Sequence, residues 1–168
     1  MTIRRAQVGD SQRLAEIVVA GWKWAYEGVI SEHELNTLDV SARMRSFKDQ
    51  FDPELLFLVA VDDADSPIGF AVETTPPRLP AYDAEVGGLY VDPAFTRMGI
   101  GKKLVSAMAE QFYDRGASSM AIHTLRKNAV GRAFYEGIGG VVVMEDEWRN
   151  YPAVWYAWRN LCDLIARD

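Results

Sequence analysis

The apolar positions of this chain change period several times, and each change marks an element. Ile3 to Ala6 reads as a short first strand. Gly9-Asp10-Ser11 then supplies a turn and a helix start, after which Leu14, Ile17, Val18, Gly21 and Trp22 recur at spacings of three and four, the pattern of an amphipathic helix laid on a core. Trp22, Trp24 and Tyr26 extend it with large rings. Ser31 followed by Glu34 has capping-box spacing and predicts a second, short helix. A third, from about Ser41 to Phe51, puts Met44, Phe47 and Phe51 on one side, and Pro53 closes it. Leu55 to Val61 and Ile68 to Thr74 read as the two strands of a hairpin across the turn-rich stretch from Asp62 to Pro67. The prolines between Pro76 and Pro80 remove ladder donors and make that segment a stiff connector.

The stretch from Ala84 to Ser106 reads as an aliphatic strand, a turn containing Pro93, two glycines one residue apart, and a helix with Leu104, Met108 and Phe112 on one face. That order suits phosphate. Gly99 and Gly101 let the backbone approach an anion, and the first turn of the following helix offers unpaired N–H groups at the positive end of its dipole. Gly87 and Gly88 are awkward inside a strand and predict a bulge that splays it from its neighbour. Gly116 ends the helix; Ser119 to Thr124 is a strand, Asn128 to Glu136 a helix, and Val141 to Met144 and Val154 to Trp158 are the last two strands, separated by a polar turn at Asn150 to Pro152. The alternation predicts an α/β (α+β) fold: a mixed, mostly antiparallel sheet of about seven strands flanked by about four helices.

Composition narrows the function classes. A chain of 168 residues holds one substantial core, so residues 1–168 are expected to form a single domain. A formal net charge of −6 disfavours nonspecific nucleic-acid binding. Cys162 is the only cysteine, which excludes an internal disulfide and a multi-cysteine metal site. His33 and His123 are isolated from each other and from acidic clusters at metal spacing, so no metal is expected. The N-terminus resembles no secretion signal and no apolar run reaches membrane-spanning length, so the expected location is cytoplasmic, away from membranes.

Two segments carry a resemblance that covers nearly the whole chain. Thr96-Arg97-Met98-Gly99-Ile100-Gly101 resembles the Gln/Arg-x-x-Gly-x-Gly/Ala motif of the GCN5-related N-acetyltransferases (GNAT), with Thr96 where the family usually has Gln or Arg. Asn128-Ala129, followed by Phe134-Tyr135-Glu136-Gly137-Ile138-Gly139-Gly140, is similar to that family's second signature, with Gly137 in place of Lys and Gly140 in place of Phe. The resemblance implies an N-acetyltransferase that moves an acetyl group from acetyl-CoA to a primary amine by direct attack in a ternary complex, with a small-molecule acceptor. The competing readings are a non-catalytic acyl-CoA-binding module and a protein N-terminal acetyltransferase. A dinucleotide-binding domain is disfavoured, because the third glycine is missing.

On this reading the coenzyme follows Leu89, Tyr90 and Val91 with its pantetheine arm, and Thr96, Arg97, Met98, Gly99, Ile100, Gly101 and Lys102 with its pyrophosphate. The Leu89 N–H polarises the thioester carbonyl. Asn128 bonds the pantetheine or a nearby backbone group, and Tyr135 stands by the sulfur as the acid. Glu85 is the expected base and Glu73 its competitor; Trp22, Tyr26 and Glu73 are the expected acceptor contacts. The aromatic last strand, with Trp155, Tyr156 and Trp158, suggests a possible homodimer interface.

Overall fold

In a computed structural model, which describes residues 1–49 and 51–165, the sheet has seven strands in the order β1-β2-β3-β4-β5-β7-β6. The strands are β1 (Thr2–Arg5), β2 (Phe57–Val61), β3 (Pro67–Glu73), β4 (Ala84–Val91), β5 (Met120–Leu125), β6 (Val141–Trp148) and β7 (Tyr151–Trp158). The helices are α1 (Ser11–Tyr26), α2 (Glu32–Asn36), α3 (Val40–Asp49), α4 (Ile100–Asp114), α5 (Ala129–Gly137) and α6 (Cys162–Ile165). Every strand pairing is antiparallel except β4 with β5, which the α4 crossover joins in parallel. The predicted mixed sheet is therefore present. Four helices have two turns or more, the short α2 is the one expected after Ser31, and α6 was not expected.

Strand alternation splits the apolar residues between two layers. Leu104, Met108 and Phe112 of α4 pack with Ala60, Ala71 and Val86 on one face. Leu14, Ile17 and Val18 of α1 pack with Val59 and Phe70 on the other. Tyr135 of α5 joins the α4 side, against Tyr156 and Trp158 of β7. On the α1 side, Ile30 and Leu35 cover Leu125 and Ala153, and Tyr82 and Leu79 cover Ala121 and Trp155.

Several boundaries differ from the sequence reading. The last turn lies at Arg149-Asn150, at φ 49° and 68°, so β7 begins at Tyr151 and includes Pro152. Two consecutive left-handed residues match the twist of a tight hairpin. Helix α3 is described over Val40–Asp49, Gln50 lies outside the described residues, and Phe47 and Phe51 both pack against the cluster that holds Val59 and Phe70. The Ser31–Glu34 cap forms as expected, with the Glu34 N–H on Ser31 Oγ at 3.3 Å. Trp155, Tyr156 and Trp158 lie in an interior strand and are 3%, 0% and 5% exposed, so their rings are used inside the chain rather than at an interface.

The closed end of the β4–β5 pair is held by Asp83. Its carboxylate accepts from the backbone N–H and hydroxyl of both Ser118 and Ser119, at 2.7 to 3.1 Å. These bonds, the Ser118 hydroxyl foremost, hold its pKa down to about 2. A carboxyl depressed in the folded chain stabilises above its unfolded pKa, about 3.9, and loses that contribution as pH falls toward the folded value. Acid titration of stability is therefore expected to show a component between about pH 4 and pH 2. Asp83→Asn should remove that component, as read by denaturant midpoints across the pH series.

Candidate active site

Strands β4 and β5 pair only from Ala84–Val86 to Met120–Ile122 and then part. The cause lies on the other edge of β4. Val72 opposes Gly88 while Glu73 opposes Val86, so Gly87 is the extra residue of a bulge. A Cβ at Gly87 would stand 1.9 Å from Thr74 Oγ1, which explains glycine there. Beyond the bulge, the Asp92 N–H bonds the Ile68 carbonyl of β3 at 2.9 Å. The two-residue alternation of a strand then turns the N–H groups of Leu89 and Val91 the other way, into the fork.

The fork opens a cleft of about 580 Å³ through the sheet. One wall is β4 from Gly87 to Val91, continuing into Thr96, Arg97 and the start of α4. The opposite wall is Ile122 to Thr124 of β5 with Asn128 and Tyr135, and α1 contributes Trp24 and Tyr26. Of the residues expected from sequence, Tyr26, Leu89, Tyr90, Val91, Thr96, Arg97, Gly99, Ile100, Gly101, Lys102, Asn128 and Tyr135 converge here. Met98 does not line the cleft and is 65% exposed.

Around the α4 terminus the backbone makes the cradle. Arg97 and Gly99 take left-handed conformations at φ 61° and 77°. The Lys103 N–H reaches the Gly99 carbonyl at 3.1 Å, so the Ile100 and Gly101 amides precede the first helical bond. A Cβ at Gly101 would lie 3.3 Å from the Phe134 ring, so glycine lets α4 and α5 close up beside this turn. Thr96 donates its hydroxyl to the Pro93 carbonyl at 3.1 Å and serves the turn itself. Asp92 caps the same turn through the Ala94 N–H and pairs with Arg13 of α1, which also donates to the Pro67 carbonyl.

Asn128 caps α5, its Oδ1 accepting from the Gly131 N–H at 2.9 Å, while its Nδ2 donates to Thr124 Oγ1 at 3.1 Å and Tyr26 Oη at 3.4 Å. One side chain thus ties α5, β5 and α1 together. Tyr135, 6% exposed, has its phenol pKa raised, chiefly by burial and then by neighbouring Tyr26, Tyr90 and Tyr156. Gly140 also finds a reason: a Cβ there would meet the Trp158 ring at 2.8 Å, so the indole fills the space beside it.

The expected carboxylates are otherwise engaged. Glu85 is fully buried, and both its oxygens are held by Arg78: Oε2 accepts from the Arg78 backbone N–H at 2.7 Å and Oε1 from the guanidinium, Nε also at 2.7 Å. Glu73 lies on the α4 side, outside the cleft, paired with Arg115 at 3.1 Å. Trp22 braces the wall rather than lining it, donating from Nε1 to Tyr90 Oη at 3.0 Å and packing on Tyr26 and Trp148. The sequence reading missed Arg78 as the partner of Glu85 and the pairing of His123 with Asp146 at 2.7 Å. Each partner is remote in sequence or lies on a loop, so spacing carried no signal.

A profile of the Acetyltransferase (GNAT) family matches residues 19–140. The chain belongs to that family. A spermidine N(1)-acetyltransferase of Thermoplasma acidophilum is 29% identical over 139 residues, 79% of this chain and 83% of that protein. Among solved structures, the PaiA N-acetyltransferase of Thermoplasma acidophilum in complex with coenzyme A superposes with a TM-score of 0.72 at 25% identity, covering 94% of this chain and 98% of that one. YncA of Salmonella typhimurium, solved with its cofactor acetyl-CoA, gives 0.69 at 20% identity over 95% and 93%. The protein is accordingly an acetyl-CoA-dependent acetyltransferase. Among the described residues, no helix is long and apolar enough to cross a membrane, and no cluster of His, Cys, Asp and Glu could hold a metal ion.

The bulge gives this acetyltransferase a direct test. Gly87→Ala should destabilise by about 1–3 kcal/mol through the clash with Thr74. Adding Thr74→Ala should recover much of the loss, measured as a double-mutant cycle on denaturant midpoints.

Proposed function

We propose that the enzyme transfers the acetyl group of acetyl-CoA to a primary amine of a small cationic molecule, by direct attack with both substrates bound together. One observation carries the reading: the buried Tyr135 opens on the same through-sheet cleft as the unpaired backbone of β4 and the first turn of α4. A pantetheine arm laid along β4 would pair with the Leu89 and Val91 amides as an added strand. Phosphates would then reach the Ile100 and Gly101 amides, where the α4 dipole is positive. Backbone supplies these contacts, which is consistent with Thr96 standing where a longer polar residue is usual.

The chemistry needs an electrophile, a proton donor for sulfur and a neutral amine. The Leu89 N–H would polarise the thioester carbonyl and hold the developing oxyanion. Tyr135 stays a neutral phenol through neutral pH because burial raises its pKa, so it is a donor and not a base. Burial raises a thiol as well, which keeps the leaving sulfur able to take the phenolic proton. Trp24, 48% exposed at the cleft, offers an indole face suited to an alkylammonium. The relative whose name specifies spermidine supports an acceptor of this type.

Release of free thiol from acetyl-CoA across a panel of polyamines, amino acids and peptide N-termini tests the reading, with turnover expected on small di- and polyamines. Tyr135→Phe should lower kcat by about a hundredfold or more at every pH, leaving coenzyme A affinity and the shape of the pH profile unchanged. Full activity in that variant would show that Tyr135 is not the acid. Binding of acetyl-CoA by the wild type without turnover on any amine would favour a non-catalytic module.

A further inference from the structure

Resting on that reading, we propose that His123, oriented by Asp146 and backed by Trp155, is the base that takes the proton of the acceptor amine. His123 is the first residue of β5 beyond its last pair with β4, so it stands at the crotch of the fork and lines the cleft. Its ring shares a face with Ala121, Leu125 and the opposing Trp155, which is the α1–α2 side of the sheet. Tyr135 reaches the fork from the other side, among Ile122, Tyr156 and Trp158. The two proton-handling groups thus flank the gap from opposite faces, with the histidine on the side of Trp24 and Tyr26.

The ring is fixed in a way that leaves one nitrogen for chemistry. Nε2 lies 2.7 Å from Asp146 Oδ1 and must carry the hydrogen toward that carboxylate, which puts the lone pair of the neutral ring on Nδ1. The imidazole stacks on Trp155 at 4.5 Å between centroids and 23° between planes. Asp146 is anchored in turn, its Oδ2 accepting from Trp155 Nε1 at 2.9 Å. Burial pushes the Asp146 carboxyl up, but bonds from Trp155 and His123 and the charge of Arg78 outweigh it and hold it below the usual range, so it stays an anion. No buried polar side-chain atom among the described residues lacks a partner, and Nδ1 has none among them, so this nitrogen of a cleft-lining residue is open to solvent.

The other charged and titratable groups around this dyad leave the role to His123. From the segment before β4, Arg78 lies 5.1 Å from the Trp155 ring centroid on the same side. Glu85 of β4 is neutralised by that arginine. From α1, Tyr26 is a phenol whose pKa burial raises. In the reaction an ammonium and a thioester become an amide, a thiol and one free proton. One proton from nitrogen passes to Nδ1 and on to solvent as the lone pair is released and the C–N bond forms. The other replaces the proton that Tyr135 gives to sulfur when the C–S bond breaks.

The test is the pH dependence of kcat/KM on an accepted amine. Wild type should show an ascending limb from the ionisation of the enzyme's own base, distinct from the limb set by the amine's ionisation. His123→Gln should remove that limb and lower kcat by about a hundredfold, with acetyl-CoA affinity unchanged. His123→Phe keeps a ring against Trp155 and should lose activity equally, which separates proton transfer from packing. Asp146 is a positioning residue, and Asp146→Asn should move the limb to lower pH. A His123→Gln enzyme within threefold of wild type, with the limb intact, overturns the assignment alone. A wild type that binds acetyl-CoA and acetylates no amine overturns both this assignment and the function it rests on.

Discussion

The structure depends on two strands that begin as partners and do not finish as partners. Ala84–Val86 and Met120–Ile122 form a short parallel ladder, closed at its base by Asp83 and the two serines, and the extra residue at Gly87 then turns β4 away. An unpaired strand interior is costly, since buried backbone groups need partners. Here that cost is accepted at the fork, where the N–H groups of Leu89 and Val91 face the cleft. The bulge, the glycines and the cleft are one feature seen at three scales.

Around that gap the chain separates its tasks by face. The α4–α5 side carries apolar packing up to the Tyr135 ring and keeps the phenol protonated by drying it. The α1 side carries the Arg78–Glu85 and His123–Asp146 pairs, and the Asn128–Thr124–Tyr26 bonds cross from the α5 side to α1. Alternation along β5 makes this possible, because Ile122 and His123 point to opposite layers while sharing one edge of the cleft. The Arg13–Asp92 pair then links α1 to the turn before α4, so the cover of one end of the cleft is fastened to the backbone of the other.

Local pattern made much of this legible. Helical spacing in α1 and α4, the Ser31–Glu34 cap, the glycine pair at Gly87-Gly88 and the turn before α4 each involve residues within a few positions of one another, and physical rules act over that range. What escaped was tertiary. Glu85 carries the residue type of a base, and nothing in its neighbours along the strand reveals that Arg78 folds back to hold it. His123 looked isolated because Asp146 is on another strand, and Pro152 disguised the start of β7 because the left-handed pair at Arg149-Asn150 could not be read from residue type alone. Gly140 was a departure from a motif until Trp158 was found where a larger residue would stand.

The position of β7 also sets a timetable. This strand is made after β5 and α5 but lies between β5 and β6, so during synthesis β5 presents an open edge to the cell until the final hairpin emerges. Until then Tyr135 lacks Tyr156 and Trp158, and His123 lacks both the Trp155 surface and the Asp146 carboxylate. The nascent chain can build the glycine turn and α4 early, yet the two residues that flank the fork acquire their surroundings only once the β6–β7 hairpin has been made.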